Sequence, residues 1–215
     1  MTFPLPHGLP GLFIALEGGD GAGKSTQAAL LCRALEGAGR TVVRTREPGG
    51  TPIGEKLRSL VLEHGHGEID ARTEALLFAA SRAAHVHQVI VPALERGDVV
   101  VCDRFIDSSV AYQGAGRALG AQAVLDVNLW ATDGLRPDLT VLLDVEPSEG
   151  RNRRTAGAAA EDRLESEPDA FHASIRDAFL DLARADPDRY LVLSASGTPE
   201  DLHRSILDAL PRVSA

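Results

Sequence analysis

Eight consecutive residues, Gly18-Gly19-Asp20-Gly21-Ala22-Gly23-Lys24-Ser25, bring together glycines, one lysine and a hydroxyl in the pattern G-x-x-x-x-G-K-[ST]. The glycines free the backbone to curl so that successive N–H groups point inward at anionic oxygens. A helix expected to start near Lys24 adds the positive end of its dipole to the same place. Lys24 is spaced to reach the β- and γ-phosphates of a nucleoside triphosphate, and the Ser25 hydroxyl suits a magnesium ion. Gly18, Gly19, Asp20, Gly21, Ala22, Gly23, Lys24, Ser25 and Thr26 are therefore the expected triphosphate-binding segment. Of 22 cationic residues only Lys24 and Lys56 are lysines. A compact ammonium fits a concave nest of amides where a planar guanidinium does not. Lys56, on a helix face, is expected to be solvated.

A second group of charges lies elsewhere in the chain. Val99-Val100-Val101-Cys102-Asp103 is an apolar run that ends in an acid and is followed by Arg104. Motor and transporter ATPases end such a run in Asp-Glu, and GTPases carry an Asn-Lys-x-Asp motif that this chain lacks. An arginine beside the strand-end acid points to a second anionic ligand next to the triphosphate. Arg46-Glu47-Pro48-Gly49-Gly50, Arg82 and Arg117 could join it in clamping two substrates. The seven histidines show no triad spacing with Ser or Cys. His85 and His87 are expected to be structural or exposed, and Glu17, at a strand end, structural.

These residues need a frame. Short apolar runs predict strands at 12–17, 41–45, 99–103, 139–145 and 190–193, and helical spacing predicts helices at 25–38, 53–62, 73–94 (bent or ended near Pro92), 122–132 and 168–185. Thr198-Pro199-Glu200-Asp201 is a capped start for a closing helix. Continuous apolar strands alternating with helices mean a parallel sheet covered on both faces. Ligands of such sheets bind beyond the carboxyl ends of the strands, which is where the phosphate loop, Arg46, Asp103 and Arg104 fall.

Composition narrows the class further. The 215 residues fit one domain, 44% of them are hydrophobic, and the formal charge is −9. An acidic surface repels nucleic acid and anionic membranes. No apolar run reaches the ~18 residues of a membrane span, and the proline-rich start, residues 1–11, reads as an irregular arm rather than a signal peptide. Cys32 and Cys102 lack metal-site spacing and are expected to be buried free thiols, consistent with the cytoplasm.

Taken in order, the motifs resemble those of bacterial thymidylate kinases. They are the phosphate loop, Thr45-Arg46-Glu47-Pro48-Gly49-Gly50-Thr51, Leu57-Arg58, Leu77-Phe78-Ala79-Ala80-Ser81-Arg82, Asp103-Arg104-Phe105, Ala111-Tyr112-Gln113-Gly114, Arg136-Pro137-Asp138 and Asp162-Arg163-Leu164-Glu165. The resemblance implies one P-loop nucleoside monophosphate kinase domain over 12–213, an α/β fold with a five-stranded parallel sheet wrapped by helices, and a homodimer. It implies phosphorylation of dTMP to dTDP with ATP and Mg²⁺, by in-line transfer, for dTTP biosynthesis.

The resemblance also implies roles. Phe78 would stack on thymine and Arg82, four residues on, would bond the base edge. Ser109 and Gln113 would contact the pyrimidine, and Tyr112 would pack under the sugar and disfavour a 2′-hydroxyl. Pro48 would lie against the base. Arg104 would hold the dTMP phosphate, and Arg46 would approach it or order the glycine turn. Asp20 would lie near the dTMP sugar, and Asp103 would act near the magnesium or fix Arg104. A mobile lid over about 150–166, with Arg151, Arg153, Arg154 and Arg163, would supply the positive charge that loop positions 19–22 lack. The usual lid places an arginine just before a glycine, whereas here Gly157 or a shifted residue falls there, so Arg153 is favoured and Arg154 second. Adenine contacts are expected from the lid and from 196–198. A kinase for UMP, CMP or another monophosphate, and a nucleotide-binding regulator without turnover, are the alternatives.

Overall fold

Leu12 to Leu16 is apolar without a break because it is buried from both sides. The computed structural model, which describes residues 7–155 and 161–210, makes Leu12–Glu17 the central strand β1. The other strands are β2 (Val42–Arg46), β3 (Val99–Asp103), β4 (Leu139–Asp144) and β5 (Tyr190–Ser194), and the sheet order is β2-β3-β1-β4-β5 with all pairs parallel. Side chains alternate across a strand. Leu12, Ile14 and Leu16 thus pack on one face, and Phe13 and Ala15 on the other.

Helices cover both faces. On the first lie α1 (Lys24–Gly37), through Ala28, Leu31 and Leu35, and α9 (Pro199–Ala209), through Ile206. On the second, α3 (Ala71–His85) continues through a π-helical turn, Val86–Ile90, into α4 (Val91–Glu95). The expected bend near Pro92 is thus a widened turn just before that proline. Near them stand α2 (Pro52–Leu62), α5 (Ile106–Ser109), the π-helical segment Val110–Gly116 and α6 (Ala121–Ala131). Finally α7 (Pro147–Thr155) leads toward α8 (Asp169–Ala185). Thr198 caps α9 as expected, its Oγ1 accepting from the Asp201 N–H at 3.1 Å.

Two helical stretches went unassigned from sequence. Ile106–Gly116 is wound partly as a π-helix and carries serines and glycines, so its apolar residues do not recur at the α spacing. The irregular break expected from Arg151 onward instead begins inside α7, where Pro147 opens the helix and Glu149 pairs with Arg153 one turn later. Positions 156–160 of that break, including Gly157, lie outside the described residues, as do residues 1–6 of the expected arm. The rest of the arm is irregular but anchored: His7 Nε2 and the Phe13 N–H both meet Asp138 Oδ2, at 2.9 and 2.7 Å. Cys32 and Cys102 are buried free thiols. Among the described residues no helix is long and apolar enough to cross a membrane.

Because β1 carries the phosphate loop at its end, its packing sets the site's rigidity. Ile14, with no exposed surface, lies in its middle. Ile14→Ala is expected to lower unfolding free energy by about 2–5 kcal/mol in urea titration, with activity retained under folding conditions.

Candidate active site

The phosphate loop leaves β1 and enters α1 through Gly23, which holds the left-handed conformation at φ +94°. Gly21 is also left-handed, and a Cβ on it would stand 2.1 Å from the Gly150 carbonyl oxygen. A Cβ on Gly150 would in turn meet the Asp20 carbonyl oxygen at 2.3 Å. The two glycines let α7, with its arginines, rest directly on the loop. Lys24 Nζ donates to the carbonyls of Gly18 and Gly19 at 3.0 and 2.8 Å. Burial, then the nearby Arg104 charge, pushes its ammonium down to about 8, although Asp20, Asp103 and Glu17 pull the other way. At the loop's end Ser25 Oγ donates to Asp103 Oδ2 at 2.7 Å.

Arg104 follows β3 at φ +69°, a conformation that costs a non-glycine residue about 1–3 kcal/mol. The turn aims its guanidinium back across the sheet end. There it donates to the Gly18 carbonyl at 3.1 Å, Ser108 Oγ at 3.1 Å and Asp20 Oδ1 at 2.5 Å. The Tyr112 hydroxyl donates to Asp20 Oδ2 at 2.8 Å, and the Arg104 guanidinium lies over the Tyr112 ring, 5.0 Å from its centre. Burial alone would raise the Asp20 carboxyl. Arg104, Lys24, the Tyr112 hydrogen bond and Arg154 together hold it well below the usual carboxylate range. The alternative in which Asp103 fixes Arg104 is thus not the one formed; Asp20 does so. Glu17 has the structural place expected of it. It accepts from the Phe105 and Ser108 N–H groups and from Ser108 Oγ at 2.8, 3.2 and 2.6 Å. Burial, and then Asp107, pushes its carboxyl up to about 7.

Helix α3 presents a buried stripe of Glu74, Phe78, Ser81, Arg82 and His85 at helical spacing. Arg82, 1% exposed, donates Nε to Glu47 Oε2 at 2.6 Å, Nη1 to Ser109 Oγ at 2.9 Å and to Asn128 Oδ1, and Nη2 to the Phe105 carbonyl at 2.9 Å. His85 bridges Glu47 and Thr45 and is structural, while His87 and Lys56 are exposed. Phe78, Arg82, Ser109, Tyr112, Gln113 and Pro48 line a recess of about 140 Å³. The Glu47–Pro48 peptide beside it is cis.

A wider recess, about 430 Å³, is lined by Gly21, Gly23, Lys24, Ser25, Thr26, Arg46, Asp103, Arg153 and Arg154. The two recesses meet: Asp20, Glu47, Arg58, Arg104 and Glu165 border both. The recess at the glycine loop thus opens directly onto a partly apolar slot with a phenyl ring and a guanidinium in its wall. The model of the family described as "Thymidylate kinase" matches residues 16–206.

The chain belongs to the thymidylate kinase family.

It is 57% identical over 202 residues to a thymidylate kinase of Leifsonia xyli, covering 94% of this chain and 95% of that one. It is 52% identical over 196 residues to one of Cutibacterium acnes, with 91% and 94% covered. The crystal structure of thymidylate kinase from Ehrlichia chaffeensis superposes with a TM-score of 0.74 at 34% identity, over 92% of this chain and 97% of that one.

Not every charge that sequence placed near the substrates faces them. Arg46 borders the wider recess, not the slot, and its guanidinium orders the glycine turn by donating to the Pro48 carbonyl and Glu55 Oε2, both at 2.9 Å. Arg117 and Arg163 do not join the clamp or the lid cations: both turn inward onto buried Glu74. Arg151 is tied to Asp169 at 2.7 Å. Arg153 donates to Glu149 and to the Ala195 carbonyl at 3.0 Å, which brings α7 against the loop at 195–198. Arg154 pairs with Glu161 at 2.6 Å. Sequence reasoning assigned Arg58 no role beyond its motif, yet it sits at the junction of the recesses with Nη1 on the Pro48 carbonyl at 3.0 Å. The available signal was its position one turn after Glu55, on the face that meets the glycine turn.

Because burial pushes the Lys24 ammonium down to about 8, and a polyphosphate binds its charged form, ATP affinity should begin to decline as the pH approaches 8. It should fall by up to about tenfold per pH unit above 8, since each unit then demands proton uptake. Calorimetric titration across that range checks it.

Proposed function

We propose that the chain transfers the γ-phosphoryl group of ATP to the 5′-phosphate of dTMP, giving ADP and dTDP for dTTP supply. The observation that carries this is the junction of the phosphate cradle with the Phe78–Arg82 slot at Arg104 and Arg58. An acceptor nucleotide with its base in the slot would bring its phosphate to that junction, against the triphosphate. The names of the relatives point the same way.

In this reading the loop amides and Lys24 hold the donor's β- and γ-phosphates. Arg104 and Arg58 hold the acceptor phosphate, one of whose oxygens attacks the γ-phosphorus as the bond to the β-bridging oxygen breaks. That acceptor is already ionised near neutral pH, so no base is required. The chain's contribution is alignment and charge, with Arg153 and then Arg154 drawn toward the transferred group. Ser25 Oγ and Asp103, in contact at the loop end, are hard oxygen donors of the type magnesium takes and would hold it. When bound, magnesium would neutralise charge on the β- and γ-oxygens. Asp20, fixed by Arg104 and Tyr112, would face the sugar, and the Tyr112 ring would crowd a 2′-hydroxyl. Phe78 and Pro48 would sandwich the base, while Ser109, Arg82 and Gln113 would meet its polar edge.

A second copy of the chain is the partner expected from the resemblance. An apolar groove between α3 and α6, lined by Leu76, Ala75, Leu119, Val124 and Val127, supports it, as does the exposure of Leu76 (59%) and Trp130 (84%) on those helices. The buried free thiols fit a reducing, cytoplasmic setting.

The direct test is ADP release over dTMP, dUMP, UMP, CMP and AMP. Preference for dTMP is expected, and equal use of UMP would sink the reading of Phe78, Arg82 and Tyr112. Lys24→Ala should lower kcat by about two or more orders of magnitude with an unchanged circular-dichroism spectrum. Arg153→Ala and Arg154→Ala, measured singly, should each lower kcat, Arg153→Ala the more. Leu76→Glu should convert a two-copy species to a single copy in light scattering.

A further inference from the structure

Glu74 is the one wholly enclosed carboxylate on α3, and no step of the transfer uses it. Gln113 Nε2 donates to its Oε1 at 2.9 Å. Arg117 lies 3.2 Å from its Oε2, and Arg163 donates to the same oxygen at 2.5 Å. Glu74 has no exposed surface and Gln113 only 1%. A carboxylate can only accept, so it receives the amide nitrogen of Gln113. The reversed amide would press two acceptors together in the interior, leaving both unpaired. The orientation of the Gln113 side chain is therefore decided from behind, by Glu74, and its Oε1 has no protein donor among the described residues. Gln113 lines the slot beside Arg82. Arg82 can only donate, and one hydrogen of its Nη2 remains beyond the bond to Phe105.

The slot thus offers a fixed acceptor and a fixed donor. Thymine and uracil present the complement, an N3–H donor beside the O4 acceptor. Cytosine presents an N3 acceptor beside an N4 amino donor, so both contacts would oppose like groups. We propose that Glu74, held by Arg117 and Arg163, is the positioning residue that makes the slot choose N3-protonated pyrimidines over cytosine, by locking the Gln113 amide. This rests on the reading that the slot takes the base of the acceptor. It also gives Arg163 a task distinct from that of Arg153 and Arg154: it ties the segment after α7 to the base-reading wall.

The test is the ratio of kcat/KM for dTMP to that for dCMP, by coupled ADP release at high enzyme concentration, with thermal melts alongside. In Glu74→Gln the partner can donate or accept, so Gln113 is free to turn. The ratio should fall at least about tenfold, because a mispaired buried polar contact then costs little to avoid, with KM for ATP unmoved. Arg117→Gln and Arg163→Gln each leave one guanidinium on Glu74 and should lower the melting temperature while keeping the ratio. A folded Glu74→Gln protein with lower stability and an unchanged ratio would show Glu74 to be merely structural and overturn the proposal. So would a loss of ratio in the arginine variants as large as in Glu74→Gln. Should Glu74→Gln fail to fold, Gln113→Leu decides: a collapsed ratio supports the pair as the reader, and a retained one overturns it. Wild-type protein that does not favour dTMP over dCMP would overturn the reading of the slot itself. A wild-type preference that survives Glu74→Gln overturns only the role of Glu74.

Discussion

Most of the arginines in and around this cleft are held by a carboxylate, and the rest of the site depends on that arrangement. Asp20 fixes Arg104, Glu47 fixes Arg82, Glu74 fixes Arg117 and Arg163, and Glu161 fixes Arg154. A guanidinium facing anionic ligands must be rigid to be useful, and it must not be left buried alone. A paired partner meets both needs, whereas removing one member of a buried pair costs about 3–5 kcal/mol. The planar fork of arginine lets one edge grip the carboxylate while another N–H stays free for a ligand. Such pairing lets a chain that is acidic overall, at −9, line its cleft with ordered cations.

The sheet supplies the reference frame for these pairs. β1 lies between β3 and β4, so its carboxyl end is flanked by Asp103 and Arg104 on one side. Backbone strain at Arg104 turns its side chain back over the loop. Close glycine contact between Gly21 and Gly150 then sets α7 on the loop, so the cations of the two recesses share one floor. Glu17, buried under this floor, organises the start of α5 through three hydrogen bonds.

Much of this was legible in the chain. The strands announced themselves as unbroken apolar runs because both faces of the sheet are covered, and the phosphate loop because few sequences satisfy its backbone demands. Phe78 and Arg82 share a face, as four-residue spacing requires. Other features were hidden for physical reasons. The π-helical winding of Val110–Gly116 erases the periodicity that marks a helix. Arg58 looked like any surface cation on an amphipathic helix. Arg117 and Arg163 were read as ligand-facing because nothing local to either residue reveals a carboxylate more than forty residues away in the chain.

The sequence by itself determined the strand–helix alternation, the glycine-rich loop with its single lysine, and the ordered motifs that mark the family, because each is encoded in contiguous residues and short-range sterics. Only the tertiary structure decided which cations border the recesses and which turn inward. That choice depends on which buried acid each arginine meets across the fold, and the pairing of distant charges is set by packing rather than by spacing along the chain.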